Sequence, residues 1–451
     1  GEGSRHALER LMVAGSAVAA AALAAVARAL PPSLQVSLAA SAGLSGLAFG
    51  ATTYIIWSLG DSFIKANLRG IDLNKSTTKR QEDGELLRPV EGIQIPESQG
   101  TVCATVYILT MSVYIPFVFA VHDLQRFPHE RLSEYLAAVL TITVASFMGF
   151  ADDVMDLRWR HKIPLPFLAT LPLLLVYYAN GNETGVMVPL PLRALLGESL
   201  DLGVFFYLFL LFLAVFSTHA INIYAGVNGL EVGQSVVIAA SVMVLNIVQL
   251  HRIPAQYAEY RNQHLQSLFL ILPFLSVSLA LMRLNWFPSR VFVGDTYCYF
   301  AGMTFAVVSI TGHFSKTMAL FLVPQVLNFL YSCPQLFRWV PCPRHRMPAY
   351  DLKLGYVKNS FVEFRLEELR PVGKATYWVL STFKLARVEP AGSGGVVRMS
   401  NLTLINFTLY VLGPCREDVL CLRLLFLQLT CSVLCFATRF GLASYVFELV
   451  L

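Results

Sequence analysis

Asp152, Asp153 and Asp156 are followed directly by Arg158, Arg160 and Lys162, and this charged group lies between two apolar runs. At the centre of a bilayer an Asp costs about 3 kcal/mol, against about 0.5 kcal/mol gained per Leu, so the flanking runs do not offset two adjacent acids. The group therefore belongs at a membrane surface or in a wet cavity. Acids beside Arg and Lys suit a metal-bound, phosphorylated substrate, because the bases pair with phosphate oxygens while the carboxylates hold cations or take protons. A solvated loop at the edge of a span would carry the same charges.

Three further groups have chemical potential. Asn222, Asn228 and Glu231 close an apolar run, with Gly226 and Gly229 allowing a tight, wet turn. Amide oxygens are hard neutral ligands suited to magnesium, although a capped polar turn would use the same residues. Asp295 follows Gly294 at the entrance to another apolar run, where an Asp also serves as a helix N-cap. Arg344, His345 and Arg346 form a rigid basic triplet between Pro343 and Pro348. Arg grips phosphate bidentately and His hydrogen-bonds a sugar, yet such a triplet also marks the cytosolic side of a membrane protein.

Composition supplies the frame. Of 451 residues, 55% are hydrophobic and 14% charged, which indicates an all-α polytopic membrane protein. The net charge of +5 is modest and the bases fall in loops, so nucleic acid is not an expected partner. The eight cysteines include no CxxC pair and read as core residues. Starting at Gly1 rather than Met, the chain is expected to be a fragment or a processed product.

About ten transmembrane helices are expected, near 33–58, 101–121, 134–151, 163–180, 202–220, 230–250, 266–284, 296–312, 317–340 and 419–450, each long enough to cross or nearly cross a bilayer. Residues 1–32, rich in Ala, read as a dispensable or cleavable extension, since Ala contributes little to insertion. The core is then 33–340, a small cytosolic subdomain occupies 341–418, and the last helix lies in 419–451. Alternating loops sort the bases: Lys65 to Arg88, Arg158 to Lys162, Arg283, Arg290 and Arg344 to Arg398 fall on one side, which is therefore cytosolic. The sequon at Asn182 falls opposite, where glycosylation would occur. All four chemical groups lie on the cytosolic side, as a magnesium and diphosphate site would require.

The run from Gly149 to Val154, continuing from Asp156 to Lys162, resembles the aspartate-rich motif of the polyprenyl-phosphate N-acetylhexosamine-1-phosphate transferases. The resemblance extends to Asp72–Lys75, Ile95–Gly100, Ala220–Ile223, Ala225–Glu231, Phe292–Thr296 and Pro343–Arg346, the last of these in the form found in eukaryotic members. It implies a multi-pass enzyme of the endoplasmic reticulum, its site facing the cytosol, that moves GlcNAc 1-phosphate from UDP-GlcNAc to dolichyl phosphate, and it is compatible with a homodimer.

Carried over by residue, the resemblance gives Asn222 and Asp295 as magnesium ligands, and Leu73, Glu97 and Asn228 as contacts to the nucleotide sugar. Arg344, His345 and Arg346 would bind the GlcNAc and phosphate end. Lys162, with Val215, Phe216, Ser217, Thr218, His219, Ala220, Ile221, Asn222 and Ile223, would receive the lipid phosphate. Asp152 and Asp153 would take acid–base or electrostatic roles. The chain departs from the family pattern in a linker lengthened by Gln81–Gly92, in Ile71 where Gln is usual, and in His219 where Asn is usual. A nucleotide-sugar transporter would show repeated halves, and an intramembrane aspartyl protease would isolate its acids within helices; neither pattern is present.

Overall fold

The computed structural model describes residues 2–28, 30–73, 78, 91–119, 128–181, 184–254, 256–343, 346–391 and 395–447. Helices α1 (Glu2–Arg28) and α2 (Pro32–Lys65) come first. Strands β1 (Arg69–Ile71) and β2 (Gln94–Pro96) pair antiparallel, Gly70 opposite Ile95, and lead into α3 (Gly100–Phe119). Then come α4 (His129–Met155), the one-turn α5 (Trp159–Lys162) and α6 (Pro164–Ala179). The antiparallel pair β3 (Gly185–Met187) and β4 (Ser199–Asp201), with α7 (Arg193–Leu196) between, precedes α8 (Val204–Ile223), α9 (Leu230–Arg252), α10 (Ala258–Asn285) and α11 (Gly294–Thr311). Helices α12 (Ser315–Phe321) and α13 (Val323–Leu336) meet at a 63° bend.

A unit of short strands and one helix follows. Strands β5 (Ala349–Asp351) and β6 (Tyr356–Lys358) pair, and β7 (Phe361–Arg365), α14 (Pro371–Thr382), β8 (Val388–Pro390) and β9 (Val396–Ser400) form a sheet in the order β7-β9-β8 with one covering helix. It has its own small core of Val340, Phe364, Leu380, Met399 and Leu402. The chain ends with α15 (Leu404–Leu412), α16 (Glu417–Ala437), a π turn and α17 (Ala443–Phe447).

The protein is an all-α polytopic membrane protein. In hydrocarbon every backbone N–H and C=O must be satisfied within its own segment, so apolar runs such as α3 and α8, with no Asp, Glu, Lys or Arg, become helices. Among the described residues nine helices are long and apolar enough to cross a bilayer, or ten with the bent pair α12–α13 counted as one span.

Two helices differ from the sequence expectation. The run at 296–312 forms α11, but α11 is not among the nine. Every residue from Thr296 to Thr311 is buried, with α3, α4, α8 and α10 packed around it. A helix enclosed by protein needs no lipid-facing surface, so it tolerates Thr296, Thr304 and Ser309 in its length. Two glycines bring its neighbours in: a Cβ at Gly149 of α4 would strike the Cα of Thr296, and one at Gly302 of α11 would strike the backbone of Thr218 on α8.

The second difference is α1. The stretch expected to be an extension is a continuous helix of 27 residues, long and apolar enough to cross a membrane and largely unburied by the rest of the protein. Ala contributes little to insertion but is the strongest helix former, and the second property prevails over this length.

Candidate functional site

The site begins where α4 ends. Asp156 takes a left-handed conformation (φ 46°) that turns the chain into α5, and the backbone nitrogen of Leu157 donates to Asp152 Oδ1 at 3.1 Å. This turn brings Lys162 back onto α4. Its Nζ lies 2.9 Å from Asp152 Oδ2 and 2.8 Å from Asp295 Oδ2, one ammonium between two carboxylates from different helices. Asp152 is buried, and its charge is balanced at close range, as a buried charge requires.

Asp153, the adjacent acid, points to α11. Its carboxylate accepts from the backbone nitrogens of Asp295 at 2.6 Å and Thr296 at 3.2 Å, and from the Thr296 hydroxyl at 2.5 Å. It thus satisfies the first orphan N–H groups of α11 and meets the positive end of that helix. Gly294 (φ 73°) is required at this junction, because a Cβ there would overlap the Asp153 carboxylate. The N-cap function expected as the alternative for Asp295 is performed by Asp153. Asp295 is left to face Lys162 on one oxygen and, on the other, Asn222 Nδ2 at 2.7 Å.

Asn222 stands at the end of α8, whose last carbonyls are held by side chains. Gln234 Nε2 donates to the carbonyls of Ile221 at 3.3 Å and Tyr224 at 2.9 Å, and Asn328 Nδ2 donates to that of Ile223 at 3.3 Å. Gln325 Nε2 donates in turn to Gln234 Oε1 at 2.7 Å and to Gln428 Oε1 at 2.8 Å. Buried amides from α9, α13 and α16 therefore fix the helix end that presents Asn222.

Beyond Asn222 the turn closes a pocket of about 410 Å³. Asn228 Nδ2 donates to Asp72 Oδ2 at 2.6 Å and its backbone nitrogen to Glu417 Oε1 at 2.8 Å. Glu231 accepts from the backbone nitrogen of Gly226 at 3.2 Å. Leu73 and Glu97 complete this wall. Burial, then the charges of Asp153 and Asp295, hold the Glu97 carboxyl above the usual carboxylate range. The lining contains five carboxylates, from Asp72, Glu97, Glu231, Asp295 and Glu417, and among the described residues no Lys, Arg or His.

The structure thus brings together Asp152, Asp153, Lys162, Asn222 and Asp295 in one bonded chain, with Leu73, Glu97 and Asn228 on the adjoining pocket wall. Arg344, His345 and Asn182 lie outside the described residues. Arg346 is half-buried: its guanidinium reaches the Leu402 carbonyl at 3.4 Å, and burial lowers its pKa. Its neighbour Met347 lines the pocket and packs on Gly226 of the Asn-rich turn.

The stretch Val215–Ile223 divides by face. Ser217, Thr218, Ala220 and Ile221 are buried, the first two hydroxyls donating to the carbonyls of Leu213 and Ala214. Val215, Phe216 and Ile223 remain partly exposed. His219 is buried with its ring 5.9 Å from that of Trp159 and 5.8 Å from that of Tyr299, so it seats α5 on α8 and α11.

The sequence reading gave no role to Asp72, Glu417, Gln234, Gln325 or Asn328. Glu417 and Asp418 had a signal: an acidic pair flush against an apolar run, both of them buried. The amides had none, because isolated Gln and Asn within spans have several structural uses.

Among the described residues no three His, Cys, Asp or Glu side chains are grouped as a closed metal cage. The donor set still fits a hard cation. Magnesium binds through one or two carboxylates plus substrate phosphates and water, and exchanging the amide oxygen and nitrogen of Asn222 puts a neutral oxygen beside the Asp295 carboxylate.

The family model described as glycosyl transferase family 4 matches residues 135–313, which contain Asp152, Asp153, Lys162, Asn222, Asn228 and Asp295. The chain is 42% identical over 436 residues to the UDP-N-acetylglucosamine–dolichyl-phosphate N-acetylglucosaminephosphotransferase of Schizosaccharomyces pombe, covering 92% of this chain and 94% of that relative. It is 42% identical to the protein of the same name from Saccharomyces cerevisiae, over 91% and 93% of the two chains. The Dictyostelium discoideum protein is 41% identical over 88% of each. Identity at this level along nearly the whole of both chains, with the site inside it, means that the chain belongs to the UDP-N-acetylglucosamine–dolichyl-phosphate N-acetylglucosaminephosphotransferase family.

Proposed function

We propose that this chain transfers GlcNAc 1-phosphate from UDP-GlcNAc to dolichyl phosphate, giving GlcNAc-diphosphodolichol and UMP. The position of Asp295 carries the reading: one oxygen faces Asn222 on the wall of the acidic pocket and the other faces Lys162 outside it. The carboxylate stands where a donor in the pocket and an acceptor at the ammonium would meet. The relatives' names speak for neither a transporter nor a protease.

The lining is acidic and, among the described residues, holds no Lys, Arg or His, so the donor's diphosphate would enter with a cation. Asp295 and Asn222 would hold magnesium, which when bound neutralises the diphosphate and polarises the β-phosphoryl group. Leu73, Glu97 and Asn228 bind the nucleotide sugar in the pocket. Arg344, His345 and Arg346 bind its GlcNAc and phosphate end.

Lys162 receives the lipid phosphate, beside the exposed edge of α8 at Val215, Phe216 and Ile223. An oxygen of that phosphate forms a bond to the β-phosphorus while the bond from the β-phosphorus to the bridging oxygen breaks, and UMP leaves with the bridging oxygen. A phosphate monoester has a second pKa near 6, so it is a competent nucleophile near neutral pH without a base. Catalysis is then in-line positioning and charge neutralisation. Asp152 orients Lys162, and its burial and ion pair favour this electrostatic role over attack on phosphorus. Asp153 fixes the turn that presents Asp295.

The protein would work in the endoplasmic reticulum membrane with this site toward the cytosol, a placement supported by the basic loops on the site's side. Purified protein should release UMP from UDP-GlcNAc only with dolichyl phosphate and magnesium both present, and Asp295→Ala should lower the rate about 100-fold or more. UMP release without dolichyl phosphate, or an unchanged rate in a folded Asp295→Ala protein, overturns the assignment.

A further inference from the structure

No step of the transfer uses Glu417, yet this acid is buried on the pocket wall, at the first residue of α16. A carboxylate is expensive to bury, and two features offset the expense here. It meets the positive end of α16, and its Oε1 accepts from the backbone nitrogen of Asn228 at 2.8 Å. Asp418 beside it turns instead to Arg416, at 3.0 Å.

Both partners of this bond are fixed from elsewhere. The start of α16 is pinned through Cys415, whose backbone nitrogen and carbonyl exchange hydrogen bonds with Val357 of β6 at 3.3 and 2.9 Å. On the other side, Asn228 Nδ2 donates to Asp72 Oδ2 at 2.6 Å, and the next backbone nitrogen, that of Gly229, donates to Asn285 Oδ1 at 3.1 Å. Asn285 is held in turn by its donation to the Val291 carbonyl at 2.8 Å. Gly229 (φ 83°) lets the turn approach α16 closely: a Cβ there would lie 2.9 Å from the Trp286 ring and 3.7 Å from the sulfur of Cys421, one helical turn beyond Glu417.

Asn228 is thus gripped twice, through its side chain by Asp72 and through its backbone by Glu417. Without the Glu417 side chain a buried N–H loses its acceptor, and the turn can satisfy it again only by moving Asn228. We propose, on the reading that this pocket receives UDP-GlcNAc, that Glu417 is a positioning residue for the donor: reaching from the last span, it fixes Asn228 against the nucleotide sugar by a hydrogen bond rather than by its charge.

UMP release by the full chain in detergent, with UDP-GlcNAc and dolichyl phosphate varied in turn, tests this. Glu417→Ala should raise the KM for UDP-GlcNAc about tenfold and leave that for dolichyl phosphate within about twofold, whereas a loss of folded protein would lower kcat and move neither KM. Glu417→Gln keeps the length and an acceptor oxygen and should recover most of the loss. Glu417→Asp keeps the charge but falls short of Asn228, and should behave as the Ala variant does. These two smaller changes carry the test if Glu417→Ala does not fold. In an Asn228→Ala background, Glu417→Ala should raise the donor KM no further. An unchanged donor KM in Glu417→Ala, recovery by Asp where Gln fails, or additive effects in the double variant overturns the proposal alone. A wild type that releases no UMP overturns the donor reading and the proposal with it.

Discussion

The carboxylate of Asp153 accepts a hydrogen bond from the backbone nitrogen of Asp295 at 2.6 Å, so the acid that ends α4 caps the helix that carries the next acid of the site. Two like charges become neighbours here because one of them faces the positive end of a helix. Asp153→Asn keeps the shape, loses the charge and turns an amide toward N–H donors. It should lower stability by about 1–2 kcal/mol and reduce UMP release as the Asp295 turn loosens. Thermal unfolding in detergent beside a turnover assay checks both effects.

Lys162 neutralises Asp152, which no other described cation approaches. Lys162→Met should therefore cost about 3–5 kcal/mol by leaving a buried charge alone. Adding Asp152→Asn should recover most of that loss without restoring turnover, since the lipid phosphate still lacks its cation. Size-exclusion yield and UMP release separate the two quantities; recovered activity in the double variant would exclude Lys162 as the acceptor's anchor.

Gln325 joins α13 to both Gln234 and Gln428 inside the bundle. Gln325→Leu would leave two buried acceptors unsatisfied, costing about 1–3 kcal/mol. The end of α8 should then hold Asn222 less firmly, and the magnesium concentration for half-maximal activity should rise about tenfold. A magnesium titration at saturating substrates measures it, with manganese binding followed by electron paramagnetic resonance as a readout independent of turnover.

Glu97 gives a pH prediction. Its carboxyl titrates above the ordinary value in the folded protein, so the folded state holds the proton more tightly than the unfolded state. Its stability contribution is complete below the ordinary carboxylate pKa and is lost as pH rises through the raised one. In a metal chelator, wild type should lose stability across that window, and Glu97→Gln should lose less. Unfolding midpoints at a series of pH values report the difference.

Much of this was legible in the chain. A charge is expensive at the centre of a bilayer and far less so at its surface, so the sequence alone places Asp152, Lys162, Asn222 and Asp295 at the ends of apolar runs, and alternation of the loops puts them on one side. That is a one-dimensional constraint, and linear order satisfies it. Which charge meets which depends on the rotation of each helix and on contacts between residues far apart in sequence, and these only the packed structure decides. Hence it took the tertiary structure to give Asp153 rather than Asp295 the capping role, to enclose α11 on every side, to bring Glu417 from the last span against Asn228, and to lay α1 beside an apolar groove.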